Sequence, residues 1–329
     1  MTSSAERPRL EHASRTTIPD FFIVGHPKCG TTALYEMLRQ HPQIHMPVKE
    51  PWFFVPERAR SSPDGGASRS PQELEDYLAL FAEAEPGQRI GEATPSYLRS
   101  RTAAREIAEL APGARIVAIL REPASFLRSF HLQSVQAHVE SETDFAKALA
   151  LEEPRRRGES IPPGVSRPED LLYSEHVRYV EQLRRYRDAF GSERVLVLIY
   201  DDFRDDNEAT VREVLRFLEV DDSRPLALVE ANPSVRLRSR RMDELVNSLS
   251  HGRGGASRAL KTAVKTLTPR GLRRGTLASI QRRVVYGEPP PADPALTLEL
   301  RRRFAPEVRA LSEYLDRDLV ALWGYDELA

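Results

Sequence analysis

The chain has 329 residues, with 48 Lys and Arg against 49 Asp and Glu, a formal net charge of −1 and 29% charged residues. That balance excludes a nucleic-acid binder that works through bulk positive charge. The single cysteine, Cys29, excludes an internal disulfide and leads us to expect a reducing, cytoplasmic setting. No run approaches the ~18–20 apolar residues that span a bilayer, and the length suits one large α/β domain over 18–329 with insertions.

Residues 1–17 are polar, carry Glu6, Arg7, Arg9, Glu11 and Arg15, and lack an apolar segment of signal-peptide length, so a disordered leader is expected. Order begins at Phe21-Phe22-Ile23-Val24, an apolar run that reads as a short buried strand. A turn punctuated by Gly25, Pro27 and Gly30 follows, and Thr31 to Gln40 shows helical spacing through Leu34, Met37 and Leu38. A strand, loop and helix in that order aim backbone N–H groups and a positive helix end at one spot, which suits a phosphate or sulfate dianion. Gly30 allows close backbone approach, Lys28 adds a mobile charge, and Thr31 and Thr32 offer hydroxyls on the first helical turn. Gly25 and Gly30 are spaced as in the nucleotide-triphosphatase loop G-x-x-x-x-G-K-[ST], but Thr31 stands in the place of its lysine and Lys28 lies inside the loop. Cys29 in this turn reads as a small side chain in a tight bend rather than a nucleophile.

His41-Pro42 ends the helix, and Ile44-His45-Met46-Pro47 reads as an extended connection into Lys49-Glu50, near the loop. A carboxylate there, beside Lys28 and Lys49, is a candidate general base toward an acceptor hydroxyl. Trp52, Phe53 and Phe54 read as core or pocket wall. Residues 58–70 read as a flexible loop, 71–81 as a helix, and Glu92 to Tyr97 as the exit of a strand, where open parallel sheets make ligand contacts. After a helix over 102–110, Arg115 to Leu120 is the most convincing buried parallel strand. It runs into Arg121, whereas a triphosphatase would place a magnesium-holding aspartate there, so the site is read as basic and without a metal. Arg121 has the fork that grips a phosphate, and Ser129, eight residues on, is placed to donate a hydroxyl to the same group. His131, Gln133, His138 and Glu140 follow, with the histidines ranked below Glu50 as alternative bases.

Farther on, 144–151 reads as a helix and 152–167, with Arg155-Arg156-Arg157, as a mobile basic loop on the surface. Tyr173 to Phe190 reads as one amphipathic helix whose Tyr173 and His176 face an acceptor, followed by a strand over 194–200. Asp201-Asp202 reads as a charged turn rather than a magnesium site. Asn232 to Arg240 is a basic coil containing Arg236 and Arg238. Between His251 and Gly287 there are nine Lys or Arg and no acidic residue, a basic amphipathic stretch that reads as a lid or solvated helix, with contact to an anionic membrane surface as the alternative. A terminal helix over 295–319 leads to Trp323-Gly324-Tyr325, a packing cap on the sheet.

Pro27-Lys28-Cys29-Gly30-Thr31-Thr32 resembles the 5′-phosphosulfate loop of sulfotransferases that use 3′-phosphoadenosine-5′-phosphosulfate, and Arg121-Glu122-Pro123 with Ser129 resembles their 3′-phosphate motif. Lys49 to Phe54, Gly91 to Tyr97 and the Trp323-Gly324-Tyr325 tail extend the likeness over roughly residues 19 to 325, closer to the carbohydrate-type and bacterial branch than to the phenol and steroid branch. The resemblance implies a three-layer α/β fold with a mainly parallel sheet, and transfer of a sulfuryl group from that donor to an acceptor hydroxyl of a carbohydrate, lipid or natural product. It implies Glu50 as base, Lys28 at the leaving group, Lys28 to Thr32 on the 5′-phosphate, and Arg121, Ser129 and either Arg236 or Arg238 on the 3′-phosphate. Ala93 departs from relatives that carry lysine at its position, which leaves the leaving-group charge to Lys28 with help from Lys49. A magnesium-dependent small-molecule kinase on a similar loop and a non-catalytic nucleotide- or glycan-binding protein are the competing readings. Acceptor identity and oligomeric state stay open.

Overall fold

A computed structural model describes residues 17–55, 71–163, 165, 167–225, 236–237, 286–287 and 291–328. Residues 1–16 of the leader expected over 1–17, the loop over 58–70, Arg238 and nearly all of the basic stretch over 251–290 lie outside the described residues.

Five parallel strands make the central sheet: β1 (Phe21–Gly25), β2 (Ile44–His45), β3 (Arg89–Ala93), β4 (Arg115–Leu120) and β5 (Val195–Ile199), in the order β2-β3-β1-β4-β5. The three inner strands are almost wholly buried, which is why β1 and β4 read as unbroken apolar runs rather than alternating ones. The chain leaves β1 in one direction, through α1 (Thr31–Leu38), to reach β2 and β3. Between β2 and β3 it forms α2 (Leu74–Ala79), and from β3 it crosses back over β1 to β4 through α3 (Ala103–Leu110). Because parallel crossovers are right-handed, the reversal places helices on both faces of the sheet. Accordingly α3 packs on α8 (Tyr179–Phe190), which lies against β4 and β5, while α1 packs on α10 (Asn207–Phe217). The result is the expected three-layer α/β arrangement.

Between these elements run α4 (Pro123–Gln136), α5 (Phe145–Ala150), α6 (Glu152–Arg156), α7 (Tyr173–His176) and α9 (Tyr200–Asp205). The C-terminal α11 (Pro294–Leu315) lies against α4 and α8, and the short α12 (Leu319–Leu322) leads to Trp323 and Tyr325, both buried. The cap expected from the tail is present: the Trp323 indole donates to Asp201 at 2.9 Å. Arg317 forks onto Asp202 at 2.6 and 2.7 Å. Both aspartates therefore serve packing, as the charged-turn reading anticipated.

Three expectations are corrected. Ile44–His45 is an edge strand rather than a bare connection, because its backbone finds Arg89 and Ile90 alongside. The 152–167 stretch is not all surface loop: α6 is helical, and the Arg155 side chain is fully buried. Arg155 forks onto Glu140 with two hydrogen bonds of 2.8 Å, and the Tyr173 hydroxyl donates to the same carboxylate at 3.0 Å. A matching buried carboxylate is what draws that arginine inside. Burial is the largest single influence and pushes the Glu140 carboxyl up, but the hydrogen bonds and charge of Arg155, with the Glu142 N–H and the Tyr173 hydroxyl, together outweigh it and hold the group below its usual range. Third, the single helix expected over 173–190 is broken between His176 and Tyr179. The Gln182 side chain bonds the Glu175 and His176 carbonyls freed at the break, each at 3.1 Å, and Glu307 accepts from the Val180 N–H at 2.9 Å. Tyr173 and His176 consequently face the core: His176 Nε2 pairs with the Asp170 carbonyl at 2.9 Å.

Arg155→Ala strands the Glu140 carboxylate in the interior and is expected to cost about 3–5 kcal/mol of stability, read from the denaturant midpoint; a loss under about 1 kcal/mol would contradict this account of the pair.

Candidate active site

The carboxyl ends of β1, β3, β4 and β5 lie along one edge of the sheet, and the residues that leave them are His26, Thr94, Arg121 and Tyr200. This is where open α/β sheets hold ligands. The register between β1 and β4 slips at Val24, so the chain leaves β1 with an irregularity just before the loop. The His26 N–H donates to the Ile119 carbonyl at 2.8 Å and ties the loop to β4.

Gly30 starts α1 in the left-handed region at φ 87°, with no side-chain cap and no acidic residue in the first turn. The positive end of α1 is therefore not offset by the protein's own side chains, which favours an external anion. A Cβ on Gly30 would lie 2.7 and 2.8 Å from the Phe203 ring, and the φ value independently disfavours any other residue. Lys28 also has positive φ, at 63°. Burial first, and then the Arg121 charge, lower its pKa. Cys29 is fully buried, and burial pushes its thiol up to about 12.

Arg121 donates to the Lys28 carbonyl at 3.3 Å and lies over the Tyr200 ring at 4.6 Å from its centre. The Tyr179 hydroxyl donates to the Arg121 carbonyl at 2.9 Å, so main chain and side chain are both held. Glu122 caps α4 by accepting from the Ala124 and Ser125 N–H groups at 3.0 and 2.7 Å, and the Tyr325 hydroxyl donates to it at 2.6 Å. The C-terminal tail thus closes onto the residue next to Arg121. On α4, Ser125 and Ser129 are four residues apart and share a face.

Lys49 and Glu50 form an ion pair in the same region. The Glu50 N–H donates to the Ala93 carbonyl at 2.9 Å, and the backbone at Glu50 has φ 60°. One cavity of about 660 Å³ is lined by Lys28, Gly30, Thr31, Thr32, Lys49, Glu50, Arg121 and Ser129 together. The sequence-derived set, apart from Cys29 and the two late arginines, borders this single space. Of Arg236 only the backbone is described: with Leu237 it forms β6, antiparallel to β7 (Tyr286–Gly287) and beside α4.

Sequence reasoning missed Tyr200, Ser125 and Arg128, which also line the cavity. Ser125 is findable from its four-residue spacing to Ser129; Arg128 reads from sequence as a routine arginine on a solvated helix, and nothing local marks Tyr200. Of the alternative bases, His131 is buried and does not line the cavity: its ring pairs with the Glu142 carbonyl at 2.9 Å, and burial lowers its pKa. Among the described residues no group of three or more His, Cys, Asp or Glu is arranged to hold a metal ion, and no helix is long and apolar enough to cross a membrane.

Residues 19–224 match the model of the sulfotransferase family, over more than half of the chain. The chain belongs to the sulfotransferase family. It is 28% identical over 257 residues to mouse (Mus musculus) carbohydrate sulfotransferase 15, covering 64% of this chain and 45% of that protein. Over 128 residues it is 32% identical to human (Homo sapiens) heparan sulfate glucosamine 3-O-sulfotransferase 6, covering 39% of this chain and 34% of the relative. The chain thus spans less than half the length of these relatives. The crystal structure of a sulfotransferase from Alicyclobacillus acidocaldarius superposes with a TM-score of 0.66 at 26% identity, covering 93% of this chain and 98% of that one.

With its thiol pushed up to about 12, Cys29 is expected to hold thiolate in only about one molecule in ten thousand near pH 8. The folded protein should resist an aromatic disulfide reagent at that pH and react once denatured; prompt stoichiometric reaction of the native protein would contradict the burial of this loop.

Proposed function

We propose that the enzyme transfers a sulfuryl group from 3′-phosphoadenosine-5′-phosphosulfate to an acceptor hydroxyl of a carbohydrate, lipid or other small molecule. The observation that supports this best is the meeting, around one cavity, of an uncapped helix end with Lys28, a braced Arg121 with Ser129, and the Lys49–Glu50 pair. Two basic groups suit a donor with phosphate at both ends of its ribose, and a carboxylate bordering the same cavity suits an incoming hydroxyl.

In this reading the N–H groups and hydroxyls of Gly30, Thr31 and Thr32 bind the 5′-phosphate, while Arg121 and Ser129 bind the 3′-phosphate. The 3′ contacts select this donor over nucleotides that lack that group, because the part-buried Arg121 fork left without its anion costs binding free energy. Glu50 takes the acceptor proton as the acceptor oxygen bonds to sulfur. The bond from sulfur to the bridging oxygen breaks in line, and Lys28 offsets the charge that collects on the departing phosphate. Lys28 is well suited to this: partial desolvation, which lowers its pKa, also reduces the water that would screen it from the leaving oxygen. Lys49, bonded to Glu50, holds that carboxylate in place and supplies charge where relatives carry lysine at the Ala93 position. The cytoplasmic setting also belongs to this proposal, as does the reading of 251–290 as a basic lid or solvated helix, with contact to an anionic membrane surface as the alternative.

Glu50→Gln is expected to lower turnover by about 10²–10⁴-fold, and Lys28→Ala by about 10²-fold or more, with donor binding much less affected, measured as initial rates of label transfer from the donor without added magnesium. Turnover at the wild-type rate in both variants, or transfer that needs ATP and magnesium instead, would contradict the assignment.

A further inference from the structure

Glu92 is fully buried, takes no part in the transfer just described, and sits where several hydrogen bonds converge. Its Oε2 accepts from the Tyr77 hydroxyl at 2.6 Å and from the Tyr97 hydroxyl at 3.2 Å, and its Oε1 accepts from the Thr94 hydroxyl at 2.5 Å. Each hydroxyl has one proton to give. With that of Tyr97 committed to Glu92, the phenol oxygen turns a lone pair toward the Phe54 N–H, which donates to it at 3.4 Å.

Both phenols also pack on the segment that carries Glu50. The Phe53 ring stacks on Tyr77 at 4.3 Å with an interplanar angle of 10°, and Phe54 meets Tyr77 and Tyr97 edge-on at 5.6 and 5.5 Å. At its other end the segment is tied by the Glu50 N–H to the carbonyl of Ala93, the residue next to Glu92. Between these ties Glu50 and Trp52 hold left-handed φ values of 60° and 56°. Residues with a Cβ keep such a conformation only where their surroundings impose it. The turn is therefore clasped at both ends by groups that β3 carries or orients.

We propose that Glu92 is a positioning residue for Glu50: its carboxylate orients the Tyr77 and Tyr97 hydroxyls, and through them fixes the Glu50–Phe54 turn that presents the base to the cavity. This rests on the reading of Glu50 as the base. Glutamine at position 92 keeps the shape but places an N–H donor where an oxygen accepts, so one hydroxyl must reverse. If that hydroxyl is Tyr97, the Phe54 N–H loses its acceptor. Burial pushes the Glu92 carboxyl up to about 7, against the opposing pull of the three hydroxyls, so assays near pH 8 examine it mainly as the anion.

The test is a cycle of wild type, E92Q, E50Q and the double variant, reading kcat for sulfuryl transfer near pH 8 and, by calorimetry, the Kd for 3′-phosphoadenosine-5′-phosphate. E92Q is expected to lower kcat about ten-fold or more while leaving Kd within about two-fold, and to have no further effect on the residual rate of E50Q. An equal fractional loss with and without Glu50, or an E92Q variant with wild-type kcat, overturns the proposal while leaving the base assignment standing. E50Q at the wild-type rate overturns the base assignment, and this proposal with it. Should E92Q fail to fold, Tyr97→Phe, which removes the phenol oxygen without introducing a donor, takes its place in the same cycle under the same criteria.

Discussion

The constraint on which the rest depends is the left-handed turn at Gly30, which starts a helix without giving its first turn a side-chain cap. A helix end left open in this way is an unfavourable feature of the isolated protein and a favourable one for a bound dianion. The sheet makes it tolerable. β1 is buried on both faces, the loop is bonded to β4 through His26, and the Phe203 ring fills the space where any larger residue at 30 would put its Cβ.

The neighbouring elements divide the work of keeping cations in place without a ligand. Arg121 is braced by the Tyr200 face, by the Lys28 carbonyl and, through its own carbonyl, by Tyr179. Glu122, one residue on, caps α4 and accepts from Tyr325 of the C-terminal tail. Two positive groups held close together repel, and the lowered pKa of Lys28 records that repulsion after the larger effect of burial. In the proposed reaction, a site prepared in this way would meet a charged donor with little reorganisation, which is the main thing an in-line displacement asks of a protein.

Much of this was legible before the structure because the informative residues are local. The apolar runs of β1 and β4, the Gly30 turn and the Arg121 to Ser129 spacing each lie within a dozen residues, and buried parallel strands announce themselves as unbroken apolar stretches. What stayed hidden depends on long-range partners. Arg155 reads as surface charge until Glu140 is found against it, and the helix break near Val177 is visible only once Gln182 and Glu307 supply the missing hydrogen bonds. Tyr200 earns its place by stacking on a residue about 80 positions away. Glu92 reads as one letter of a motif: Thr94 and Tyr97 lie close by in that motif, and it is Tyr77 of α2, 15 residues away, that only the fold brings onto its carboxylate.

The most direct measurement of the central claim is calorimetric titration of the wild type and of Arg121→Ala with 3′-phosphoadenosine-5′-phosphate in the absence of metal. The account predicts micromolar binding that the substitution weakens ten-fold or more, about 1.4 kcal/mol or above. Binding that is absent in the wild type, or equal in the two proteins, would contradict a donor site built from the Gly30 turn and Arg121.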